Sequence, residues 1–169
     1  MFRHFRRVGI WGMENAFGLL LVVALLAVGP VLLRPGPARA DEAVNDLKQV
    51  ALSDIALGER LLALEALKEK GSEAAVEALA DIAASGDLRI AVAACAQLGR
   101  VKSSGSKGEL KTLLEKSSLG VHVRTAAASA IAEHWKDSGD MDYLEGKCES
   151  NDALKAHYAE LKKRVYKDE

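Results

Sequence analysis

Apolar residues in this chain follow a helical period locally and a second, longer period across it. Val44, Leu47 and Ala51 stand at helical spacing and predict a helix over residues 43–52. Val76, Leu79 and Ile82 do the same for 73–84, and Leu110, Leu113 and Leu114 for 109–116. Between these segments one pattern recurs three times: an apolar residue, small residues in register, then a space-filling Leu or Ile. The copies are Leu57-Gly-Glu-Arg60-Leu-Leu-Ala-Leu-Glu-Ala-Leu67, Leu88-Arg-Ile-Ala91-Val-Ala-Ala-Cys-Ala-Gln-Leu98 and Val121-His-Val-Arg124-Thr-Ala-Ala-Ala-Ser-Ala-Ile131. Aligned on Leu67, Leu98 and Ile131, the steps are 31 and 33 residues, and a fixed period of that size marks a stacked repeat array. Each unit reads as a helix, a tight turn and a second helix.

The turn chemistry agrees. Lys70-Gly71-Ser72 supplies a glycine stop and a serine cap, and Ser85-Gly86-Asp87 repeats the arrangement with an aspartate. Lys102-Ser-Ser-Gly-Ser-Lys-Gly108 is the most loop-like stretch, and Ser117-Ser-Leu-Gly120 leads into the third copy. Met141, Leu144 and Cys148 mark a short helix after Asp137-Ser-Gly-Asp140, and Asn151-Asp152 opens a last helix to about residue 166. Small residues such as Ala63, Ala66, Ala94, Ala127 and Ala130 let helices approach closely, while Leu67, Leu98 and Ile131 fill the space between layers. The predicted fold class is therefore all-α, an α-solenoid of about three and a half helix-turn-helix units.

Composition sharpens this reading beyond residue 40. All three prolines lie at positions 30, 35 and 37, and the aromatics that follow are Trp135, Tyr143, Tyr158 and Tyr166. An Ala- and Leu-rich chain free of proline favours helix throughout. The aromatics gather near the carboxy terminus, where large rings are expected to close the last layer of the array; an exposed patch is the alternative.

The first 40 residues have a different character. Arg3, Arg6 and Arg7 form a basic start, residues 16–33 are apolar apart from Gly29-Pro30, and Ala38-Arg39-Ala40 precedes Asp41-Glu42. That is the layout of a cleavable signal peptide over 1–40, with cleavage after Ala40 and a repeat domain over 41–169. The expected localisation is export, to a periplasm. An uncleaved anchor is the rival, since an 18-residue stretch is at the short end of what spans a bilayer. In that case alone would a membrane be a partner.

Of 23 basic and 24 acidic residues, the first 40 hold five and one, which leaves 18 against 23 beyond them. A net charge near minus five excludes the basic footprint that nucleic-acid binding requires.

The run Val123-Arg124-Thr-Ala-Ala-Ala-Ser-Ala-Ile-Ala132 resembles the core of the short bacterial HEAT-like repeats, the variety also found in phycobilisome lyase proteins. The resemblance extends over about 47–165. It implies that the arginine opens the second helix of each unit and bonds to neighbouring loops; the matching positions are Arg60, Ala91, Arg124 and Lys155. It also implies a concave side lined by the second helices, and it raises an enzyme-associated or lyase-like role as the alternative to a binding module, although fold does not establish function. The tetratricopeptide arrays of similar period carry a Trp, Tyr, Phe and Pro pattern that this chain lacks.

Candidate chemistry is sparse. His122 and His134 are twelve residues apart, about 18 Å along one helix and too far for one metal. Cys95 and Cys148 belong to units two steps apart, so at about 8–10 Å per packed helix their backbones exceed the roughly 7 Å limit of a disulfide. Cys95 is expected as a small buried hydrophobe. No serine–histidine–acid motif, phosphate-cradling glycine loop or carboxylate pair stands out, so neither catalysis nor a cofactor is expected.

The second helices carry the candidate surface. One and two positions after the arginine site lie Leu61, Val92 and Thr125, and Leu62, Ala93 and Ala126; nine positions after it come Glu69, Arg100, Glu133 and Arg164. On the implied concave side the first two rows form a mostly apolar strip with no layer over them, rimmed by alternating charge. Such a strip suits a helix or extended peptide from another protein, and the expected role is a non-enzymatic binding or scaffold module. The competing reading is that Leu61 and Val92 pack beneath the next layer.

Overall fold

The structure, a computed structural model, describes residues 37–85, 87–149 and 151–165, with side chains from Asp41 onward. The expected basic start and apolar stretch of the leader, and Tyr166, lie outside the described residues. Eight helices make up the described part: α1 (Pro37–Leu52), α2 (Leu57–Lys70), α3 (Glu73–Ala83), α4 (Leu88–Val101), α5 (Ser104–Glu115), α6 (Val121–His134), α7 (Ser138–Cys148) and α8 (Asp152–Val165). The fold is all-α, and no described helix is long and apolar enough to cross a membrane.

Local signals set most boundaries. Gly71 ends α2 in the left-handed region at φ 57°, and its N–H donates to the Leu67 carbonyl. The Ser72 side chain accepts from the Ala75 N–H and starts α3; the Asp87 carboxylate accepts from the N–H groups of Arg89 and Ile90 and starts α4. Asp137 caps α7, and Asn151 takes the first amides of α8.

Two boundaries differ from the sequence reading. Helix α1 already includes residues 37–42, ahead of the expected start near 43. Helix α5 begins at Ser104, inside the stretch expected as a loop. Ser103 and Ser106 form a reciprocal capping box, and Ser106 is fully buried. That cap and the burial of Ser106 and Leu110 outweigh the cost of Gly105 and Gly108, about 1 kcal/mol each in a helix.

The helices follow one another as α1–α2, α3–α4, α5–α6 and α7–α8; the members of the last three pairs pack on each other, α1 is tied to α2 by the Arg60 bond to the Ala51 carbonyl, and each pair packs on the next. Helix α4 packs against α2 and α6, α6 against α8, and α3 against α5. Direction follows from contacts at a near-constant offset: Cys95 Sγ reaches the Val123 carbonyl at the start of α6, and Gly99 lies against Ala130 and His134 near its end. Helices α4 and α6 therefore run the same way. The first helices are joined in the same register by Lys48–Asp81 between α1 and α3, and by Lys147–Glu115 between α7 and α5. One core of buried aliphatic and small side chains runs from Val44 to Leu161, with Leu67, Leu98 and Ile131 all at zero exposure.

Two layers approach closely at Gly99. A β-carbon there would come within 2.5 Å of His134 Cδ2 and 3.1 Å of the Ala130 Cβ. Burial depresses the His134 pKa, as for an imidazole wedged against a neighbouring backbone. In Gly99→Ala, overpacking of about 1–3 kcal/mol opposes a propensity gain of about 1 kcal/mol, so a net loss on the order of 1 kcal/mol is expected. In a His134→Ala background the propensity gain should win. Urea denaturation of the four proteins checks this, and equal effects in both backgrounds would remove His134 as the cause.

Candidate interaction surface

Arginines organise the start of two second helices. Arg60 Nε donates to the Ala51 carbonyl at 2.9 Å, and Arg124 Nε to the Leu114 carbonyl at 2.7 Å, in each case the end of the preceding first helix. These are orphan carbonyls that an α-helix leaves at its carboxy end. Arg60 also pairs with Asp87, the cap of α4, at 2.8 Å, and that bond leads the causes that lower the Asp87 pKa. One side chain thereby ties three helices and fixes the orientation of α2 and α4. At the two other matching positions, Ala91 is buried and Lys155 is exposed.

The expected strip divides by row and by unit. Leu61 and Val92 are exposed at 40% and 37%, and Leu62 at 65%. Ala93, Thr125 and Ala126 are half-buried, and Ala93 and Ala126 pack against the core. His157 explains the difference: in the same row as Leu62, it shares a 2.8 Å hydrogen bond with Ser129 of the preceding unit. This row faces the layer before it, which half-covers Ala93 and Ala126. Leu62 belongs to the first pair, with no described layer ahead. Arg100 and Glu133 are exposed at the far ends of α4 and α6, and Glu133 approaches Arg164 at 4.0 Å.

The sequence reading left out Leu57 and Leu88, exposed at 38% and 48%. They open the first two copies of the pattern, one turn before Leu61 and Val92, so the signal was present in the alignment itself. Leu57, Leu61, Leu62, Leu88 and Val92 form an apolar face on the first turns of α2 and α4, and Val121 and Thr125 continue it on α6 half-buried.

The described residues offer little reactive chemistry. Cys95 and Cys148 are free and buried, and burial pushes the Cys95 thiol up to about 12 and raises Cys148 as well, opposite to what a nucleophilic cysteine needs. The Ser129–His157 pair was not foreseen. Ser129 sits in mid-helix, where backbone N–H groups are already bonded within α6, so no oxyanion donors face it; the pair acts as a strut between α6 and α8. No three described His, Cys, Asp or Glu side chains converge to hold a metal. A cleft of about 350 Å³ lies between the amino-terminal ends of α3 and α5, lined by Gly71, Glu73, Val76, Ser103, Ser104 and Gly105.

At the carboxy-terminal end, Tyr158 is buried and its hydroxyl donates to the Met141 carbonyl at 2.9 Å, closing α8 onto α7. Trp135 and Tyr143 are half-buried beneath lysines, with Lys107 Nζ at 5.9 Å from the Trp135 ring and Lys111 Nζ at 4.4 Å from that of Tyr143. No family model matches this chain, and no match emerges among curated proteins or among solved structures.

Proposed function

We propose that this chain is a HEAT-like repeat module that binds another protein through the exposed side of its second helices, a scaffold rather than an enzyme. The observation that carries the reading is the aliphatic face of Leu57, Leu61, Leu62, Leu88 and Val92, which no described side chain of the protein covers fully. Singly exposed leucines are ordinary, but Leu57 and Leu61 recur as Leu88 and Val92 at the equivalent positions of the adjacent helix, and with Leu62 beside them they make an apolar surface whose burial gives roughly 25 cal/mol per Å². The HEAT-like assignment is supported by the equivalent bonds of Arg60 and Arg124.

Leu62→Glu tests the module reading. With Leu62 at 65% exposure, the change should leave helical content and melting temperature nearly unchanged. It should weaken capture of the natural partner more than tenfold, since a charge enclosed in an apolar contact stays unpaired. Retained capture by a folded variant would move the contact to another surface.

The reading also includes export. It rests on the small residues of Ala38-Arg39-Ala40 ahead of Asp41-Glu42. An intact mass beginning at Asp41 in the exported protein is expected, and recovery of the whole chain in the membrane fraction would replace the secreted form with a tethered one.

A further inference from the structure

Two different kinds of polar link hold the last helix pair to the rest of the array. On the first-helix side, Asp140 of α7 meets Lys107 and Lys111 of α5, and Lys147 of α7 meets Glu115 of α5 at 2.7 Å. On the second-helix side, the link is the imidazole of His157 on α8, whose Nε2 lies 2.8 Å from Ser129 Oγ on α6. Arg164 of α8 also approaches Glu133 of α6 at 4.0 Å, but both are exposed, and such pairs contribute little. One side is held by charge and the other by a neutral ring.

The residue at position 157 sets α8 apart from the earlier second helices. In the same row they carry Leu62, Ala93 and Ala126, which do not titrate. Ala93 and Ala126 pack against the core at this point, so an alanine suffices for the contact. His157 instead places between two helices a group whose ordinary pKa is about 6.5.

Its surroundings favour the neutral form. Burial leads in lowering the His157 pKa and the charge of Arg164 adds to it, against a smaller pull from the Thr125 backbone of α6. Neighbouring carboxylates are engaged elsewhere: Glu133 of α6 faces Arg164, and Glu145 of α7 is held by Lys162 at 3.2 Å. The other titratable group that α7 turns towards α8 is Cys148, a buried thiol whose pKa is raised. An imidazole with a lowered closed-state pKa supports the closed state fully above its free value, about 6.5, and loses that support as the pH falls towards the closed-state value. Asp140, held below the ordinary carboxylate range, keeps its charge down to about pH 4. Between these two windows the α7 link holds while the α8 link weakens.

Place in the stack adds to this. Among the described second helices α8 packs on α6 alone, and an element with a layer on one side opens more readily than one stacked on both.

We propose that α8 is an acid-released clasp: at mildly acidic pH the protonated His157 ring leaves its place against Ser129, α8 comes away from α6, and α7 stays tied to α5 through Asp140. Release uncovers Leu154, Tyr158 and Leu161, which are buried in the closed form.

Hydrogen exchange of the full chain reads the opening, followed by mass spectrometry at about pH 7 and about pH 5.5 and corrected for the intrinsic pH dependence of amide exchange. One imidazole with a free pKa of about 6.5 can shift an opening equilibrium by at most about eightfold over that interval. Protection of the α8 amides should fall by about three- to eightfold, stay below that of α4, and respond only weakly to low urea, as local opening does. His157→Gln keeps a hydrogen-bonding side chain that does not titrate, and His157→Ala restores the residue of the row; in both the fall should vanish. Titration of the His157 ring by NMR needs no variant, and its pKa should lie below about 6.5. A ring that titrates at or above that value would overturn the proposal. So would equal α8 protection at both pH values, or α8 amides that exchange only together with α4 in global unfolding. A fall that persists in both His157 variants would overturn it as well, and its loss in His134→Gln would then place the sensitive contact between α4 and α6.

Discussion

Ile131→Ala is expected to lower the unfolding free energy by about 2–5 kcal/mol, towards the upper end of that range. Ile131 has zero exposure and lies in α6, which packs against α4, α5, α7 and α8. The cost of such a deletion depends on how far the surroundings collapse into the space. Here they have little to offer. Ala127, Ala128, Ala130 and Ala132 surround the position along α6, so the helices are already at close approach and hold few long side chains able to swing inward. Leu98→Ala should behave alike, since α4 also has neighbours on both sides in the array. Leu67→Ala should cost less, because α2 belongs to the first pair and can settle inward. Urea denaturation checks the order; a change below about 0.5 kcal/mol for Ile131 would mean that the thirty-residue register is misplaced.

That register was readable because close packing restricts residue type. Positions pressed between helices accept alanine, and the one that fills the layer demands a branched aliphatic side chain, so Leu67, Leu98 and Ile131 could be aligned from identity alone. Helix caps were readable for a similar reason: Ser72, Asp87 and Asn151 each satisfy amides that the backbone leaves open. The start of α5 escaped because its capping box uses Ser106 where glutamate or glutamine is the usual signal, and because two glycines disguise a helix whose inner side is buried.

The candidate surface was legible only in part. A helical pattern distinguishes the inward side of a helix from the rest, but not which outward positions a neighbouring helix half-covers. Leu62, Ala93, Ala126 and His157 share one row, yet Leu62 is open while the preceding layer shields the others, a difference set by place in the stack rather than by residue type. The Ser129–His157 bond joins residues 28 apart in sequence and depends on the offset between layers. Asp140 escaped on the same ground: in sequence it belongs to a polar turn, whereas in the fold it is buried and met by Lys107 and Lys111 of α5.

Acid sensitivity should follow from that burial. The Asp140 side chain is 4% exposed and meets Lys107 and Lys111, with Lys111 Nζ at 2.9 Å. Burial raises its pKa, but the hydrogen bonds from Lys107 and Lys111 outweigh that and hold it below the ordinary carboxylate range, while the bond to Asp140 raises the Lys107 pKa. A carboxylate with a depressed folded pKa contributes its full stabilisation above its unfolded value, about 3.9, and loses it as the pH falls through the folded value. Asp140→Asn keeps the shape and removes the charge, leaving two lysines of α5 around a neutral amide. It should cost about 1.5–3 kcal/mol near neutral pH, as hydrogen bonds to charged groups do. Asp87, Glu115 and Glu160 also have lowered pKa values, so wild-type stability falls in acid for several reasons. The difference between wild type and Asp140→Asn isolates one of them. Measured by urea denaturation, it should be constant above about pH 4 and shrink below it. A difference that persists unchanged at low pH would show that Asp140 acts through packing, and that α5 and α7 are held together without its charge.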